Sequence, residues 1–451
     1  MRTIKITFIV AFCIILVLPL AFMNHKPDSV SYIDNRKLTE NPFKTKQNLK
    51  PNIEKYVNDR IGFRDAMITT FTVLNDKMFG KMVHPSYQYG RDGYVFGAGL
   101  TVKNDFGKYH IAYADMVKSI QNYCEERGIP FIFVFNPAKP AIYQDKLPRG
   151  MNYNRDWVKL FIKELDKRKI NYIDNTVVFQ RLTNKGVECF NRKYDANHWN
   201  AIGAFYGTNA ILHKLKEFKV DTHINSLSEF EVGKDKKTSL LVSKFPIDED
   251  VPIMGFKFKF TNKREQYFKE IKLHPSFKGF GYFINDERKK EGSPKVLFFQ
   301  GSYMNGWGCS YMINALGEYI YVHDYQNIID FPYYYNIFKP DAVVFEVAEY
   351  TLSNGYFDYN RMKAIKYNAV LSRMDKSKYI IQDVAEKDIR LKEGKSLVKI
   401  QWNTNKKYNY VWLSMDKEYD FYPIKSGYEV VVDKKDFLDS SKTFKIITSI
   451  R

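Results

Sequence analysis

Short apolar segments set the tightest limit on how this chain can fold. Residues 129–135 and 342–345 form continuous apolar runs, and residues 295–299 end in a similar run. A strand that is buried on both faces of a parallel sheet has this composition. Helical patterns near residues 109–127, 155–169 and 201–218 alternate with these segments and with strand signals at 171–173 and 319–322. This alternation predicts an α/β fold with a mostly parallel open sheet and helices on both faces.

The N-terminus carries a candidate membrane segment. Residues 6–23 contain no charged side chain, and Arg2 and Lys5 stand just before them. Eighteen uncharged residues fit either a short transmembrane helix or the core of a signal peptide. No small-residue cleavage site follows, so we expect residues 1–25 to be an uncleaved anchor. The positive-inside rule then places the rest of the chain outside the cytoplasm, at the cell surface or in a periplasm.

Composition divides the remainder of the chain into three parts. Residues 26–50 are rich in Asn, Lys, Pro and Asp, which is typical of a linker. We expect residues 51–375 to form the α/β domain, with an insertion of hairpins and loops at about 225–290. Residues 390–451 show alternating stretches that predict a small all-β appendage.

Charge and cysteine content narrow the choice of partners. The net charge of +19 favours an anionic partner such as phospholipid headgroups or an acidic polymer. The basic residues are scattered and no nucleic-acid-binding motif is present, so we expect no nucleic acid partner. Only three of the four cysteines lie outside the apolar segment, so at most one internal disulfide can form. No Cys or His spacing matches a metal site, and we expect neither a metal nor a cofactor.

The segment VLFFQGSY at residues 296–303 places Ser302 where a buried strand gives way to a predicted helix. A serine at the carboxyl end of a strand has its hydroxyl at the functional edge of the sheet. Backbone N–H groups and the helix dipole can stabilise an oxyanion there, as an acyl-transfer nucleophile requires. A serine at this position is also a common helix N-cap, and the segment alone does not separate the two roles.

The segment YDANHWN at residues 194–200 supplies a candidate base and its orienting acid. His198 lies three residues after Asp195 in a polar loop that precedes a helix. A serine nucleophile needs an imidazole base, and that base needs a carboxylate to hold its tautomer. Taken alone, the same spacing also fits a salt bridge within a loop.

Together these two segments resemble the SGNH hydrolases, and in particular the alginate O-acetyltransferase branch of that family. In that branch the Asp/His block precedes the Ser block, as it does here. Further blocks that resemble the branch follow in the same order: residues 34–38, 58–65, 90–96, 136–139, Tyr143 and 147–148. The resemblance covers about residues 30–370.

The resemblance implies an enzyme with the triad Ser302, His198 and Asp195 that moves an acetyl group onto a hydroxyl of a cell-envelope or secreted polysaccharide. It also implies an acetyl donor of the multi-pass membrane acyltransferase type. Candidates for substrate or oxyanion contacts are Asn136, Lys139, Tyr143 and Tyr303. Two alternatives stay open: a carbohydrate acetylesterase that uses the same triad, and a non-catalytic, membrane-tethered subunit for glycan binding or assembly.

Overall fold

The computed structural model describes residues 2–27, 29–31, 33, 36–44, 49–84, 87–97, 105–241, 245–382, 384, 386–440 and 445–449. Two of the residues in the block predicted at 34–38, Asp34 and Asn35, therefore lie outside the described residues. So do residues 28, 32 and 45–48 of the predicted linker.

The described part of the N-terminal region consists of helices and two pairs of short strands. Its elements are α1 (Arg2–Ala21), β1 (Val30–Ser31), β2 (Arg36–Lys37), α2 (Leu49–Arg60), α3 (Arg64–Phe79), β3 (Tyr87–Tyr89) and β4 (Val95–Gly97). Within the described ranges, α1 is the one helix long and apolar enough to cross a membrane, and its apolar stretch Thr3–Ala21 is not buried by the rest of the chain. The same length and composition fit a signal sequence.

The central part of the chain alternates strands with helices. Its first half contains α4 (Lys108–Glu126), β5 (Phe131–Asn136), α5 (Lys139–Ile142), α6 (Asp156–Lys167), β6 (Tyr172–Asp174), α7 (Asn175–Thr183) and α8 (Ala201–Glu217). The segment that follows contains β7 (Glu231–Ser239), β8 (Pro246–Gly255), β9 (Thr261–Asn262), α9 (Arg264–Phe268), β10 (Phe280–Ile284) and α10 (Asp286–Lys290). The second half contains β11 (Lys295–Gln300), α11 (Trp307–Ala315), β12 (Glu318–His323), α12 (Phe331–Phe338), β13 (Ala342–Ala348) and α13 (Tyr359–Lys363).

Seven of these strands form one sheet in the order β6-β5-β13-β11-β12-β10-β9. The first five are parallel, and β10 is antiparallel to both of its neighbours. The predicted SGNH-like α/β fold with a mostly parallel sheet is thus confirmed. The carboxyl ends of β5, β13, β11 and β12 lie side by side at one edge.

Side chains alternate between the two faces of the sheet, as strand geometry requires. Along β5, Phe131, Phe133 and Phe135 pack into one hydrophobic cluster, while Ile132 and Val134 pack into another on the opposite face. Every residue of β5 and β13 is buried. This burial on both faces explains why these segments contain apolar residues without alternation.

The insertion is partly a hairpin and partly an extension of the sheet. β7 and β8 pair as an antiparallel hairpin. β10, which lies within the predicted insertion, instead joins the central sheet beside β12, and β9 pairs with it at the edge. β11 and α11 lie between β10 and β12 in the chain, so the local sequence of β10 does not distinguish it from a strand of an independent hairpin.

Within the described residues, the C-terminal region is mostly β, with a 3-10 helix at Glu386–Asp388 and one short α-helix, as the alternating sequence pattern predicts. Its elements are β14 (Tyr379–Gln382), β15 (Ile389–Glu393), β16 (Leu397–Asn403), β17 (Val411–Ser414), β18 (Glu418–Asp420), β19 (Tyr422–Ile424), β20 (Gly427–Asp433), α14 (Lys434–Asp439) and β21 (Lys445–Ser449). They form two antiparallel sheets of four strands each. The division of the chain into separate domains remains a prediction.

A buried ion pair joins the C-terminal sheets to the α/β part. Arg127, just after α4, lies 3.0 Å from the carboxylate of Asp420 on β18, and both side chains are at least nine-tenths buried. The hydroxyl of Tyr123 also donates to Asp420. The backbone carbonyl of Asp420 accepts a hydrogen bond of 2.8 Å from Asn336 Nδ2. One acidic residue therefore connects β18 to two helices of the α/β part.

We expect Asp420→Ala to lower the free energy of unfolding by about 3–5 kcal/mol, because it leaves the buried Arg127 guanidinium without its counter-charge. The double variant Arg127→Met/Asp420→Leu should lose less, because it removes both charges. Melting temperatures of the two variants in detergent solution would measure this difference. Equal losses for the single and double variants would contradict a role for the ion pair itself.

Candidate active site

Ser302 lies at the carboxyl edge of the central sheet. β11 ends at Gln300, Gly301 is extended, and Ser302 begins a short 3-10 helix that ends at Met304. The sequence predicts a helix directly after the serine, but α11 begins only at Trp307. Gly306, with φ of 70°, separates the two because it takes a left-handed conformation that most residues avoid.

The backbone before Ser302 is fixed by a carboxyl group from the central strand. The amide of Gly301 donates a hydrogen bond of 2.8 Å to Glu346 Oε2 on β13. Asn136, at the end of β5, donates through Nδ2 to the other oxygen, Oε1, at 2.6 Å. Glu346 is fully buried. It thus connects the ends of three neighbouring strands beneath the serine.

A second buried acid, Asp324, lies beside the same glycine. A methyl group added to Gly301 would sit 3.6 Å from Asp324 Oδ1 and 3.7 Å from Glu346 Oε2. Burial raises the pKa of Asp324, even though the imidazole of His323, 3.0 Å away, lowers it. Burial and the nearby Asp324 raise the pKa of Glu346 to about 8. Since two like charges in one buried site resist ionising together, the pair retains a proton near neutral pH.

His198 connects Ser302 to Asp195. Its Nε2 lies 2.8 Å from Ser302 Oγ, and its Nδ1 lies 2.8 Å from Asp195 Oδ1 and 3.0 Å from Oδ2. The two ring nitrogens therefore face the serine and the carboxylate separately. Burial alone would raise the pKa of Asp195, but the attraction and hydrogen bonds from His198 hold it below its usual value. Asp195 stays ionised at neutral pH in this arrangement.

The loop that carries His198 folds around the Asp195 side chain. Asp195 has a φ of 53°, a left-handed conformation that Asp tolerates better than most residues. Its Oδ1 accepts backbone hydrogen bonds from Asn197 at 3.3 Å and from His198 at 3.1 Å. The acid and the base are therefore three positions apart in the chain, and a single local turn brings them together.

Two charged side chains hold the residues at the start of the histidine loop. Glu249 on β8 accepts hydrogen bonds from the amides of Arg192, Lys193 and Tyr194, at distances of 2.5–3.0 Å. On the buried side of the loop, the ammonium of Lys139 donates to the carbonyls of Arg192 at 3.0 Å and of Val95 at 2.7 Å. Burial lowers the pKa of Lys139 to about 7. The sequence gives no signal for Glu249, which lies in the hairpin of the insertion.

The four residues predicted as substrate or oxyanion contacts are all buried. Asn136 accepts a hydrogen bond from Asn175 at 2.7 Å in addition to its bond to Glu346. Tyr143 accepts from the amide of Cys189 at 3.2 Å. Tyr303 donates to the carbonyls of Pro137 and Asn197, and its ring centroid lies 5.3 Å from that of His198. With Lys139, these side chains use their polar atoms inside the protein and lie beneath the site.

Tyr350 is a further side chain at the site and was not predicted from the sequence. It lies in the short helix Glu349–Thr351 that follows β13, and its hydroxyl is within hydrogen-bonding reach of Ser302. Its side chain is 41% exposed, so it faces the open side of the site. Its place directly after a buried strand was the one available signal, because the sheet edge collects such residues.

No described residues form a metal centre: within the ranges given above, no group of three or more His, Cys, Asp or Glu side chains is arranged to hold an ion. The four cysteines are free thiols, and Cys124 and Cys189 are buried.

Residues 88–240, about a third of the chain, match the family described as the SGNH hydrolase-like domain of the acetyltransferase AlgX. The resemblance predicted from the motifs is confirmed over this segment, which contains Asp195 and His198 but ends before Ser302. No curated protein sequence matches the chain significantly.

Several solved structures are similar in fold. Bacillus cereus PatB1 with a sulfonyl adduct is 14% identical with a TM-score of 0.45, and the match covers 62% of this chain and 99% of that one. The O-acetyltransferase domain of Pseudomonas putida AlgJ is 13% identical, with a TM-score of 0.42 and coverage of 65% and 97%. Pseudomonas aeruginosa AlgX is 10% identical, with a TM-score of 0.37 and coverage of 80% and 94%.

The buried acid pair leads to a prediction about pH. Because the folded protein keeps a proton on Glu346 that the unfolded chain releases, stability should fall as pH rises from about 4.5 to about 8, by at most about 1.4 kcal/mol per pH unit. We expect Glu346→Gln to flatten this slope in melting temperatures measured across the window. Glu318→Gln is the matched control, because its pKa is lowered and its effect falls at lower pH. An unchanged slope in Glu346→Gln would contradict the assignment.

Proposed function

We propose that this chain is an extracytoplasmic acetyltransferase that carries an acetyl group on Ser302 and passes it to a hydroxyl of a cell-envelope or secreted polysaccharide. The observation that carries the proposal is the chain of contacts from Ser302 Oγ through His198 to Asp195, each 2.8 Å long. A general base must lie within hydrogen-bonding distance of the proton it removes, and this one does. If the chain had no catalytic role, Ser302 Oγ would be expected to lie well beyond hydrogen-bonding distance of His198.

The proposed reaction has two balanced halves. In the first, His198 Nε2 takes the proton of Ser302 while Oγ attacks the acetyl carbonyl, and the donor's oxygen or sulfur leaves with that proton. In the second, His198 takes the proton of a sugar hydroxyl, whose oxygen attacks the acetyl-serine. Ser302 then leaves with the proton, and an ester to the sugar has formed. Asp195 stabilises the imidazolium in both halves.

Two groups support oxyanion stabilisation. Ser302 is the first residue of a short helix, and amides in a first turn have no partner inside the helix. Its amide has no hydrogen-bond acceptor among the described residues, so it is free to donate to the developing oxyanion. The Tyr350 hydroxyl is the second candidate donor, because it lies next to Ser302 and faces outward.

The location and partners follow from the N-terminal segment and from the resemblance. We infer that α1 anchors the chain, which leaves the site outside the cytoplasm. The acetyl group then has to cross the membrane, and a multi-pass membrane acyltransferase is the class of donor that supplies it. The polysaccharide acceptor rests on the resemblance to the acetyltransferase AlgX.

The triad is tested by Ser302→Ala and His198→Ala in the full-length protein in detergent, with release of acetyl from an activated ester as the readout. We expect Ser302→Ala to abolish the acetyl adduct seen by mass spectrometry, and His198→Ala to remove most of the activity. Both should leave the melting temperature nearly unchanged, because neither side chain contributes much to the core. Ser310→Ala and exposed His213→Ala are the matched controls. Acetyl release that survives both site changes would end the catalytic proposal.

Transfer and hydrolysis form the same acyl-enzyme and differ in what accepts the acetyl group. Adding polysaccharide fragments during turnover separates them: a transferase moves acetyl to the glycan, whereas an esterase releases acetate at an unchanged rate. Acetate as the only product with every glycan offered would favour the esterase.

We expect Tyr350→Phe to lower kcat by about tenfold to a hundredfold, somewhat less than the loss of a main oxyanion donor. KM should change little, because the hydroxyl would act mainly on the developing charge. Tyr356→Phe serves as the control for loss of a nearby phenol. A change confined to KM would instead assign Tyr350 to substrate binding.

A further inference from the structure

Helix α3 carries an exposed apolar stripe. Four side chains of α3 follow one another at spacings of four, three and four residues, which places them on one face of the helix, and Phe63 stands immediately before the helix in a left-handed conformation. Each is between 46% and 67% exposed: Phe63, Met67, Phe71, Leu74 and Met78. Phe63 contacts the ring of Phe22, and the other four side chains remain about half exposed. A shallow groove of about 760 Å³ runs beside the stripe and is lined by Met67, Phe71 and Met82, among others.

The opposite face of α3 holds the helix against the protein. Thr72 is fully buried and donates through its hydroxyl to the carbonyl of Val83 at 2.7 Å. Val73 packs on a small core that includes Met82 and Val95. The helix therefore already packs against the protein through its other face. The stripe is the outer surface of this helix.

The stripe begins where the membrane segment ends. Gly62, one residue before Phe63, donates to the carbonyl of Pro19 at 2.8 Å. A side chain at Gly62 would come within 2.7 Å of the Phe22 backbone oxygen, so only glycine allows this approach. The rings of Phe63 and Phe22 lie 5.3 Å apart. If α1 spans the bilayer, the first residue of the stripe lies at the membrane surface.

The charges around α3 match a membrane surface. Helical spacing places Asp65 and Asp76 on the side away from the stripe, and Asp76 accepts a hydrogen bond of 2.9 Å from Tyr89. Two exposed lysines, Lys77 and Lys81, lie near the stripe's far end, and Lys81 lines the groove. Cations at one end of an exposed apolar stripe suit anionic headgroups that lie next to acyl chains.

We infer that α3 lies on the outer surface of the bilayer, with the stripe in contact with lipid and Lys77 and Lys81 near anionic headgroups. The inference rests on the proposed anchoring by α1. The helix is about 24 Å long, so its contact holds the base of the protein against the membrane along a line rather than at the single point that α1 provides.

Site-directed fluorescence on the full-length protein in vesicles of phosphatidylcholine and phosphatidylglycerol tests this inference. Met67→Cys and Leu74→Cys, each in a Cys13→Ser background, carry an environment-sensitive dye, and the lipids carry nitroxide quenchers. Leu160→Cys is the matched control, because Leu160 is a comparably exposed leucine on α6 in the α/β part. We expect blue-shifted emission and severalfold stronger quenching at positions 67 and 74 than at 160.

The other outcomes overturn the inference. Quenching at 67 and 74 no stronger than at 160 would show that the stripe stays in water. A blue shift without lipid quenching would assign the stripe to a second copy or another protein. Protein that does not stay with the vesicles would remove the anchor on which the inference rests. Acetyl release measured on the same vesicles reports separately on the proposed function, so either can fail alone.

Discussion

The carboxyl group of Glu346 is the contact on which the site's geometry depends. It stands on β13, the strand between β5 and β11, and binds a group from the end of each neighbour: the side chain of Asn136 and the amide of Gly301. Parallel strands align their carboxyl ends, but alignment alone does not orient the chain that leaves them. One buried acid with hydrogen bonds to both sides does so. Burying such a group is costly without partners, and each of its oxygens has one.

The loop that carries His198 is also oriented by hydrogen bonds from buried or neighbouring side chains. It contains little regular structure, yet its amides bind Glu249, the carbonyl of Arg192 binds Lys139, and the carbonyl of Asn197 binds Tyr303. These contacts come from a hairpin, from the helix after β5 and from the serine segment itself. The position of His198 thus depends on three separate parts of the chain. Such networks hold a geometry when every member is satisfied.

Much of this arrangement was predictable from the sequence, for physical reasons. Parallel strands that are buried on both faces can be recognised in a sequence by their continuous apolar runs. When each strand is followed by a helix, only a few sheet topologies are possible. That rule alone brings the end of β11 to the functional edge. The Asp195 turn is local, so its spacing was informative. The pairing of His198 with Ser302, 104 residues apart, followed from the resemblance to a family with the same order of blocks.

The supporting residues were not predictable in the same way. Asn136, Lys139, Tyr143 and Tyr303 looked suited to a substrate because they are polar and lie in the right segments, yet the sequence does not say which side of the edge a side chain takes. All four are buried. Glu249 lies in a hairpin of alternating polar residues, and only tertiary contacts distinguish its carboxylate from its acidic neighbours. Strand β10 was missed as part of the sheet because its partner, β12, follows it at a distance.

The hydrogen bonds of Glu249 give the β7–β8 hairpin a role in holding the histidine loop. At the far end of β7 and just before β8, Leu240 and Phe245 are buried in the same small core as Ala196, which lies between the acid and the base. The stem of the hairpin adds a further contact. The carboxylate of Glu249 on β8 binds the backbone amides just before the acid and the base, and so holds the start of their loop. Related chains should therefore keep an acidic side chain at this register position. A shift of the hairpin by one residue would turn the carboxylate to the opposite face and release the loop.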